Sequence, residues 1–145
     1  MSPLDREVIR RKLAVIAENL GDLGPIAGMT EQEYGGDVYK RKATERLLQE
    51  LVEAAIDINT HIIVDTGHAA PDDYYSSFIK AGELNIIPAD LAAKLAPSAG
   101  LRNRLIHEYD LIEHALVPSA VKTAQVLYPH FVKAVESFIA GTDQP

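Results

Sequence analysis

The chain has 145 residues, a length that predicts one domain spanning residues 1–145, and its 47% hydrophobic and 24% charged residues are typical of a globular protein. The absence of cysteine excludes disulfides, thiolate metal sites and cysteine nucleophiles. The net charge of −7, from 14 basic and 21 acidic side chains, counts against non-specific binding to nucleic acid. Any contact with nucleic acid therefore has to use a local cationic patch or the help of a partner.

The first twenty residues predict an amphipathic helix that ends near Gly21. Ile9, Leu13, Ile16 and Leu20 are separated by four, three and four positions, which is the period of one helix face. The same stretch is charged and contains no apolar run of the length that a signal peptide or a membrane span needs. We therefore expect a cytoplasmic protein with no membrane contact.

The strongest helical pattern runs from about Asp37 to Asp65. Its apolar positions alternate spacings of three and four: Leu48, Leu51, Ala55, Ile58 and Ile62. A helix of roughly 27 residues is about 40 Å long at 1.5 Å per residue. This helix is long enough to form the spine of a small bundle.

A short helix is predicted after an irregular segment. Asp72 or Asp73 can cap it, and it runs to about Lys80. The acidic and aromatic string at its start is explained by this cap together with two packed rings, Tyr74 and Tyr75.

Prolines divide the second half of the chain into further helices. Pro88 opens one helix, and Pro97 has to kink or break it because proline lacks an N–H and clashes with the preceding turn. Ser98 can cap the next helix, and a last helix runs from Pro118 to Gly141. No alternating strand of convincing length occurs, so the sequence predicts an all-α, up-and-down bundle of four to five helices.

Several metal and nucleotide motifs are absent. No glycine-rich phosphate loop occurs, and the string HEYDL departs from the zinc motif H-E-x-x-H because position 111 is leucine. His107 and His114 are seven positions apart, which on one helix is about 10 Å and too far for a shared metal ion. We expect no metal, and a structural or surface role for His61 and His130.

A polar cluster in the string GLRNRLIHEYD, Gly100 to Asp110, is the candidate site. Asn103 and His107 are four positions apart and share one face of a helix, while Arg102 and Tyr109 are seven apart and nearly aligned. A solvated amphipathic face explains the same residues, and composition alone favours that interpretation.

The chemistry of metal-independent RNA cleavage fits this cluster. The reaction needs a group that takes the 2′-hydroxyl proton, a group that protonates the leaving oxygen, and a cation for the charge on the phosphorane. Histidine titrates near neutral pH, so it can act as an acid or a base. Arginine stays charged and binds phosphate through paired N–H donors. The cluster offers one histidine for two proton transfers, and a symmetric dimer supplies the second in trans.

The sequence resembles HepT-like proteins of the HEPN superfamily, the toxin half of HEPN/MNT toxin–antitoxin pairs. Its string RNRLIHEYD carries the family pattern R-x4-H-x-Y, and the similarity extends from about Tyr39 to Asp110, half the chain. The resemblance implies a HEPN helical bundle that works as a homodimer, with metal-independent endoribonuclease activity on cellular RNA. It also implies that Arg102 and His107 are the catalytic pair and that Asn103 supports them.

The resemblance further implies how the activity is controlled. Tyr109 would receive AMP from ATP through the partner antitoxin, a minimal nucleotidyltransferase. ATP and Mg²⁺ would serve the partner, and this chain would need no cofactor. The added phosphate would place negative charge beside the catalytic pair and compete with RNA. Basic residues that could flank the cleft are Arg6, Arg10, Arg11 and Lys12, or Lys40, Arg41 and Lys42, whereas Arg104 has no assigned role.

Two other functions remain open. A non-catalytic HEPN helper would bind a nucleotide or position a partner nucleotidyltransferase without cleaving RNA. A helical adaptor would use the polar cluster only as a surface. The presence of Arg102, His107 and Tyr109 together favours the nuclease, because a binding module has no need of all three.

Overall fold

The structure, a computed structural model, describes residues 3–141, which are helical almost throughout and contain no β-strand. The helices of this described part are α1 (Pro3–Asp22), α2 (Gly24–Ala27), α3 (Glu31–Gly35), α4 (Val38–Asp65), α5 (Tyr74–Glu83), α6 (Ala89–Leu95), α7 (Ser98–His107) and α8 (Val117–Gly141). Two 3₁₀ turns, Tyr109–Leu111 and His114–Leu116, lie between α7 and α8. The all-α prediction is confirmed, and several short helices are added to the long ones that form the bundle.

Helix α4 is the spine of the bundle, as its apolar pattern predicts. Helix α1 packs along α4 and also contacts α8, while α5 and α7 pack on α4 and α6 lies between α5 and α8. The apolar positions that predicted the inner face of α4 are all 0% exposed: Leu48, Leu51, Ala55, Ile58 and Ile62. Burying each leucine or isoleucine stabilises the fold by about 1.5–3 kcal/mol.

Aspartate caps determine where two helices near the site begin. The Asp37 carboxylate accepts hydrogen bonds from the N–H groups of Tyr39 and Lys40 at 2.9 and 3.1 Å, at the start of α4. Of the two candidate caps for α5, Asp73 takes the position and accepts from the N–H of Ser76 at 2.7 Å. Each cap satisfies donors that the first helical turn leaves unpaired.

The junctions between α5, α6 and α7 are tight. A Cβ at Gly82 on α5 would come 2.6 Å from the Cβ of Ala92 on α6. Pro88 is the N-cap of α6, and Pro97 separates α6 from α7, as predicted. The prediction that Ser98 caps α7 is wrong, because Pro97 occupies the cap position and no side chain bonds to the first turn.

The last helix completes the bundle by packing against α1, α2 and α6. It begins at Val117, one residue before the predicted start at Pro118, and it ends at the predicted Gly141. Among residues 3–141, no helix combines the length and the hydropathy that crossing a membrane requires.

Candidate active site

The polar cluster predicted from the sequence lies in an open cleft of about 780 Å³ between α7 and the start of α5. Arg102, Asn103 and His107 line one side of this cleft, and Asp73 and Tyr74 line the other. Three of the predicted site residues therefore share one cavity. Helix α7 positions these three residues. Because its apolar Leu105 is buried, the polar residues of its last two turns face outward.

Arg102 is held firmly in this cleft. Its Nε donates to Glu53 Oε1 at 3.1 Å, and its Nη2 lies 3.1 Å from the same oxygen. Its Nη1 donates to the side-chain oxygen of Asn103 at 3.2 Å. Its side chain is only 16% exposed. Among the described residues, these hydrogen bonds engage two of the five N–H groups of the guanidinium, and the ion pair at Nη2 holds it from a third position.

Tyr74 completes the surroundings of Arg102. The guanidinium carbon lies 4.7 Å from the centre of the Tyr74 ring, which is the geometry of a cation–π contact. The prediction of two packed rings at the start of α5 is wrong, because Tyr74 is 42% and Tyr75 53% exposed. Tyr74 is instead part of the site.

Glu53 is the second residue of the site that sequence reasoning missed. It lies on α4, where its position indicates only a polar helix face. Gln49, one turn earlier on α4, also donates to Glu53 Oε1 at 3.3 Å. The carboxylate thus receives donors from two helices, and it anchors Arg102 to the spine of the bundle.

His107 is the last residue of α7, and its side chain is exposed. No hydrogen-bond partner of its imidazole is found among the described residues. Asn103 lies one turn before it on the same helix and is also exposed, as the spacing of four predicts. An imidazole that is accessible and unpaired can accept a proton from a bound ligand or donate a proton to it.

Tyr109 is placed differently from the prediction. Because α7 ends at His107, Tyr109 belongs to the first 3₁₀ turn and is not aligned with Arg102 on one helix. It lies beyond the residues that line the cleft and is 60% exposed. The Lys42 ammonium of α4 lies 5.5 Å from the centre of its ring.

The basic residues that the sequence offered as possible flanks of the cleft do not line it. Lys42 lies over the Tyr109 ring, whereas the Arg41 guanidinium donates to the carbonyl oxygen of Gly35. On α1, Lys12 pairs with Asp57 at 3.0 Å. None of the basic residues of α1 lines the cleft.

The carboxylate that caps α5 also contributes charge to the cleft. Hydrogen bonds from the backbone and the side chain of Ser76 hold the pKa of Asp73 below its ordinary value. The cleft therefore has Asp72, Asp73 and Glu108 on its walls beside Arg102 and Arg104. Its cations are balanced by acids.

One group of possible metal ligands occurs in the described part of the chain, and it lies outside the cleft. Ligand atoms of Asp5, His61 and Asp65 lie within 4.8 Å of one another. His61 Nε2 is 2.9 Å from Asp5 Oδ1, so this histidine joins α4 to α1. The contact is the structural role expected for His61.

The chain matches known proteins over nearly its whole length. The sequence model of the ribonuclease HepT-like family matches residues 9–137. A tRNA nuclease HepT from Aphanizomenon flos-aquae is 34% identical over 144 residues, which cover 99% of this chain and 98% of that protein.

Solved structures share the helical arrangement. A tri-AMPylated HEPN toxin of Shewanella oneidensis, in complex with MNT antitoxin, superposes with a TM-score of 0.81 at 24% identity, covering 94% of this chain and 99% of that one. A cytosolic protein of unknown function from Bacillus subtilis superposes with a TM-score of 0.84 at 18% identity, covering 97% and 94%. At these identities the likeness shows a common fold.

Proposed function

We propose, from the premise that this chain belongs to the HepT-like ribonuclease family, that it is a metal-independent endoribonuclease toxin whose activity resides in Arg102 and His107. The observation that carries the proposal is the pairing of a fixed cation with a free imidazole in one open cleft. Arg102 is immobilised by Glu53, Asn103 and Tyr74, while His107 has no partner among the described residues. A preorganised cation beside a group that can transfer a proton is what phosphoryl transfer requires.

The cleavage step uses the 2′-hydroxyl of the RNA as the nucleophile. Its oxygen forms a bond to the adjacent phosphorus while the bond from phosphorus to the 5′ oxygen breaks. The products are a 2′,3′-cyclic phosphate and a 5′-hydroxyl. His107 takes the 2′ proton or protonates the leaving oxygen, and N–H groups of Arg102 that are not hydrogen-bonded within the chain bind the non-bridging oxygens.

We propose a homodimer as the active form. A single imidazole cannot accept one proton and donate another in the same step, so a second His107 from a facing copy supplies the missing group. Exposed apolar residues next to the site support an assembly that covers them. Leu111 is 74% exposed and Leu116 is 62% exposed, both in the 3₁₀ turns that follow α7.

We propose that a nucleotidyltransferase antitoxin silences the chain by transferring AMP to Tyr109. The phenolic oxygen would attack the α-phosphorus of ATP, with pyrophosphate leaving, and the partner would supply the catalysis and Mg²⁺. The exposure of Tyr109 makes the hydroxyl accessible, and Lys42 lies close enough to pair with the new phosphate. The modified residue, two positions after His107, would bring negative charge to the site and repel RNA.

The nuclease assignment is tested with the purified, unmodified chain, a tRNA mixture and excess EDTA. We expect fragments with 2′,3′-cyclic phosphate ends, which His107→Ala and Arg102→Ala do not produce. His68→Ala is the matched control, because His68 is exposed and does not line the cleft. Intact RNA with the wild type would overturn the proposal and favour a non-catalytic helper, whereas undiminished cleavage by His107→Ala would remove His107 from the reaction and overturn the proposed mechanism.

A further inference from the structure

The cleft lacks the net positive charge that would attract a polyanion such as RNA. Its walls hold three carboxylates, Asp72, Asp73 and Glu108, against the guanidinium groups of Arg102 and Arg104. The carboxylate of Glu53, on α4, also neutralises the charge of Arg102. Binding of RNA depends on phosphate contacts with cations. Because the chain has a net charge of −7, the further cations that bind the rest of the strand have to lie elsewhere on a surface that continues from the cleft.

Such a surface runs from the cleft toward α6 and α8. Two further cavities, of about 210 and 510 Å³, are linked to it by shared lining residues. Arg104 lines both the cleft and the first of these cavities, and Lys94 and Leu127 line both the first and the second. Lys133 lines the far end. We call this surface, defined by Arg104, Lys94, Leu127 and Lys133, the α6–α8 groove.

The cations of the groove are available to a ligand. Lys94, Arg104 and Lys133 are exposed, and none forms an ion pair with a carboxylate of the described chain. Asp90 is the one carboxylate among the described residues that line the groove cavities. The guanidinium of Arg104 lies back over Gly100, where a Cβ would be 3.4 Å from Nη1. Arg104 thus lies where the cleft meets the groove.

The basic residues of this half of the chain are concentrated along the path. Six lysines and arginines follow residue 65: Lys80, Lys94, Arg102, Arg104, Lys122 and Lys133. Four of these six line the cleft or the groove. Lys94, Arg104 and Lys133 come from three different helices, α6, α7 and α8. Their convergence is therefore not the solvated face of a single helix.

We propose that the α6–α8 groove binds the phosphate backbone of single-stranded RNA flanking the bond held in the cleft, an inference that rests on the proposed nuclease function. Lys94, Arg104 and Lys133 contact phosphates along the strand, which positions it without reading its bases. His130 and the hydroxyl of Ser137 lie beside Lys133 in the second cavity and add donors for phosphate or ribose. The groove gives an acidic protein a directed RNA site.

The experiment measures binding of a 4-nucleotide and a 12-nucleotide single-stranded RNA, both in a His107→Ala background that prevents cleavage. The longer RNA is expected to bind more tightly because it reaches the groove. Lys94→Gln with Lys133→Gln is expected to remove most of this gain. The slope of log affinity against log salt should fall by roughly 1.4, because each phosphate that a lysine neutralises on a single strand adds about 0.7 to the slope.

Matched variants separate charge from damage to the fold. Arg11→Gln with Lys80→Gln removes the same charge from residues that do not line the groove, and it should keep the affinity and the salt slope. Lys94→Arg with Lys133→Arg keeps the cations and should bind like the parent. Equal affinity and slope for the groove variant and the Arg11 and Lys80 control would overturn the proposal.

Two other outcomes are distinguishable. If the groove variant binds RNA normally but has a weaker affinity for the antitoxin, the groove docks an acidic protein surface and the RNA proposal is overturned. If the wild-type chain cleaves no RNA, the nuclease function fails, yet this binding measurement still decides the groove because it involves no cleavage.

Discussion

The carboxylate of Glu53 and the guanidinium of Arg102 meet at 3.1 Å although 49 positions separate the two residues in the chain. This contact joins α4 to α7 and gives the cation of the site one orientation. Because Asn103 and Tyr74 hold the other sides of the guanidinium, the pair belongs to a small network. The network predicts how each member contributes to activity.

Glu53→Gln should lower the turnover of RNA cleavage more than it raises KM, because the neutral amide holds Arg102 less firmly during the step that loads charge on phosphorus. The removal of a charge-assisted hydrogen bond at a half-buried site should cost about 1–2 kcal/mol of unfolding free energy. Asp57→Asn is the control on the same helix, since its ion pair with Lys12 is exposed and lies outside the cleft. Kinetics and urea unfolding measure both effects, and equal kinetics for the two variants would contradict the positioning role.

Tyr74→Ala should reduce cleavage several-fold, since a cation–π contact contributes about 0.5–1 kcal/mol at a partly exposed site. Tyr74→Phe keeps the ring and should remain close to wild type. Tyr75→Ala removes a neighbouring ring that does not line the cleft and should have little effect. Initial rates on one RNA substrate compare the three variants, and a decrease in Tyr74→Phe equal to that in Tyr74→Ala would assign the effect to the hydroxyl instead.

Tyr109→Phe should take up no AMP when it is incubated with the proposed nucleotidyltransferase antitoxin, ATP and Mg²⁺, while the wild-type chain gains the mass of one or more AMP units. The variant lacks the oxygen that would attack ATP. Tyr39→Phe is the control, because Tyr39 is 83% exposed and belongs to α4. Intact-mass spectrometry gives the result, and an unchanged mass gain on Tyr109→Phe would place the modification elsewhere.

Asp73→Ala should lower the urea midpoint at pH 7, because α5 loses its N-cap. The pKa of Asp73 is lowered by folding, so its contribution is present above the unfolded pKa, about 4, and is lost as pH falls through the lower folded value. The difference between wild type and variant should therefore shrink in acid. Asp72→Ala, which removes a carboxylate that does not cap α5, should show a smaller difference at pH 7.

Gly82→Ala should destabilise the fold by about 1–3 kcal/mol, because the new Cβ would overlap Ala92 at a tightly packed junction. Adding Ala92→Gly should recover much of this stability. Gly21→Ala is the control, since nothing lies within 4 Å of its added Cβ. Thermal unfolding measures the relative stabilities of these variants. A Gly82→Ala variant as stable as Gly21→Ala would show that the junction between α5 and α6 can relax.

Features that depend on near neighbours in the chain were predictable from the amino-acid sequence. The apolar spacing of α4 predicted its buried face, Asp73 was readable as one of two candidate caps, and Pro97 was readable as a break. These signals act within one or two helical turns, where spacing and hydrogen bonding are local. The same short range placed Asn103 and His107 on one face of α7.

The meeting of distant residues, in contrast, depends on the packing of the helices. Nothing near Glu53 or Tyr74 in the sequence indicates Arg102, because their contact follows from how α4 and α5 pack against α7. The local spacing also predicted that Tyr109 shares a helix with Arg102. In the structure α7 ends at His107, so Tyr109 is not aligned with Arg102. The same cause explains the surface that contains Lys94, Arg104 and Lys133. Burial of the apolar faces drives whole helices to pack together, and this packing determines which polar faces become neighbours.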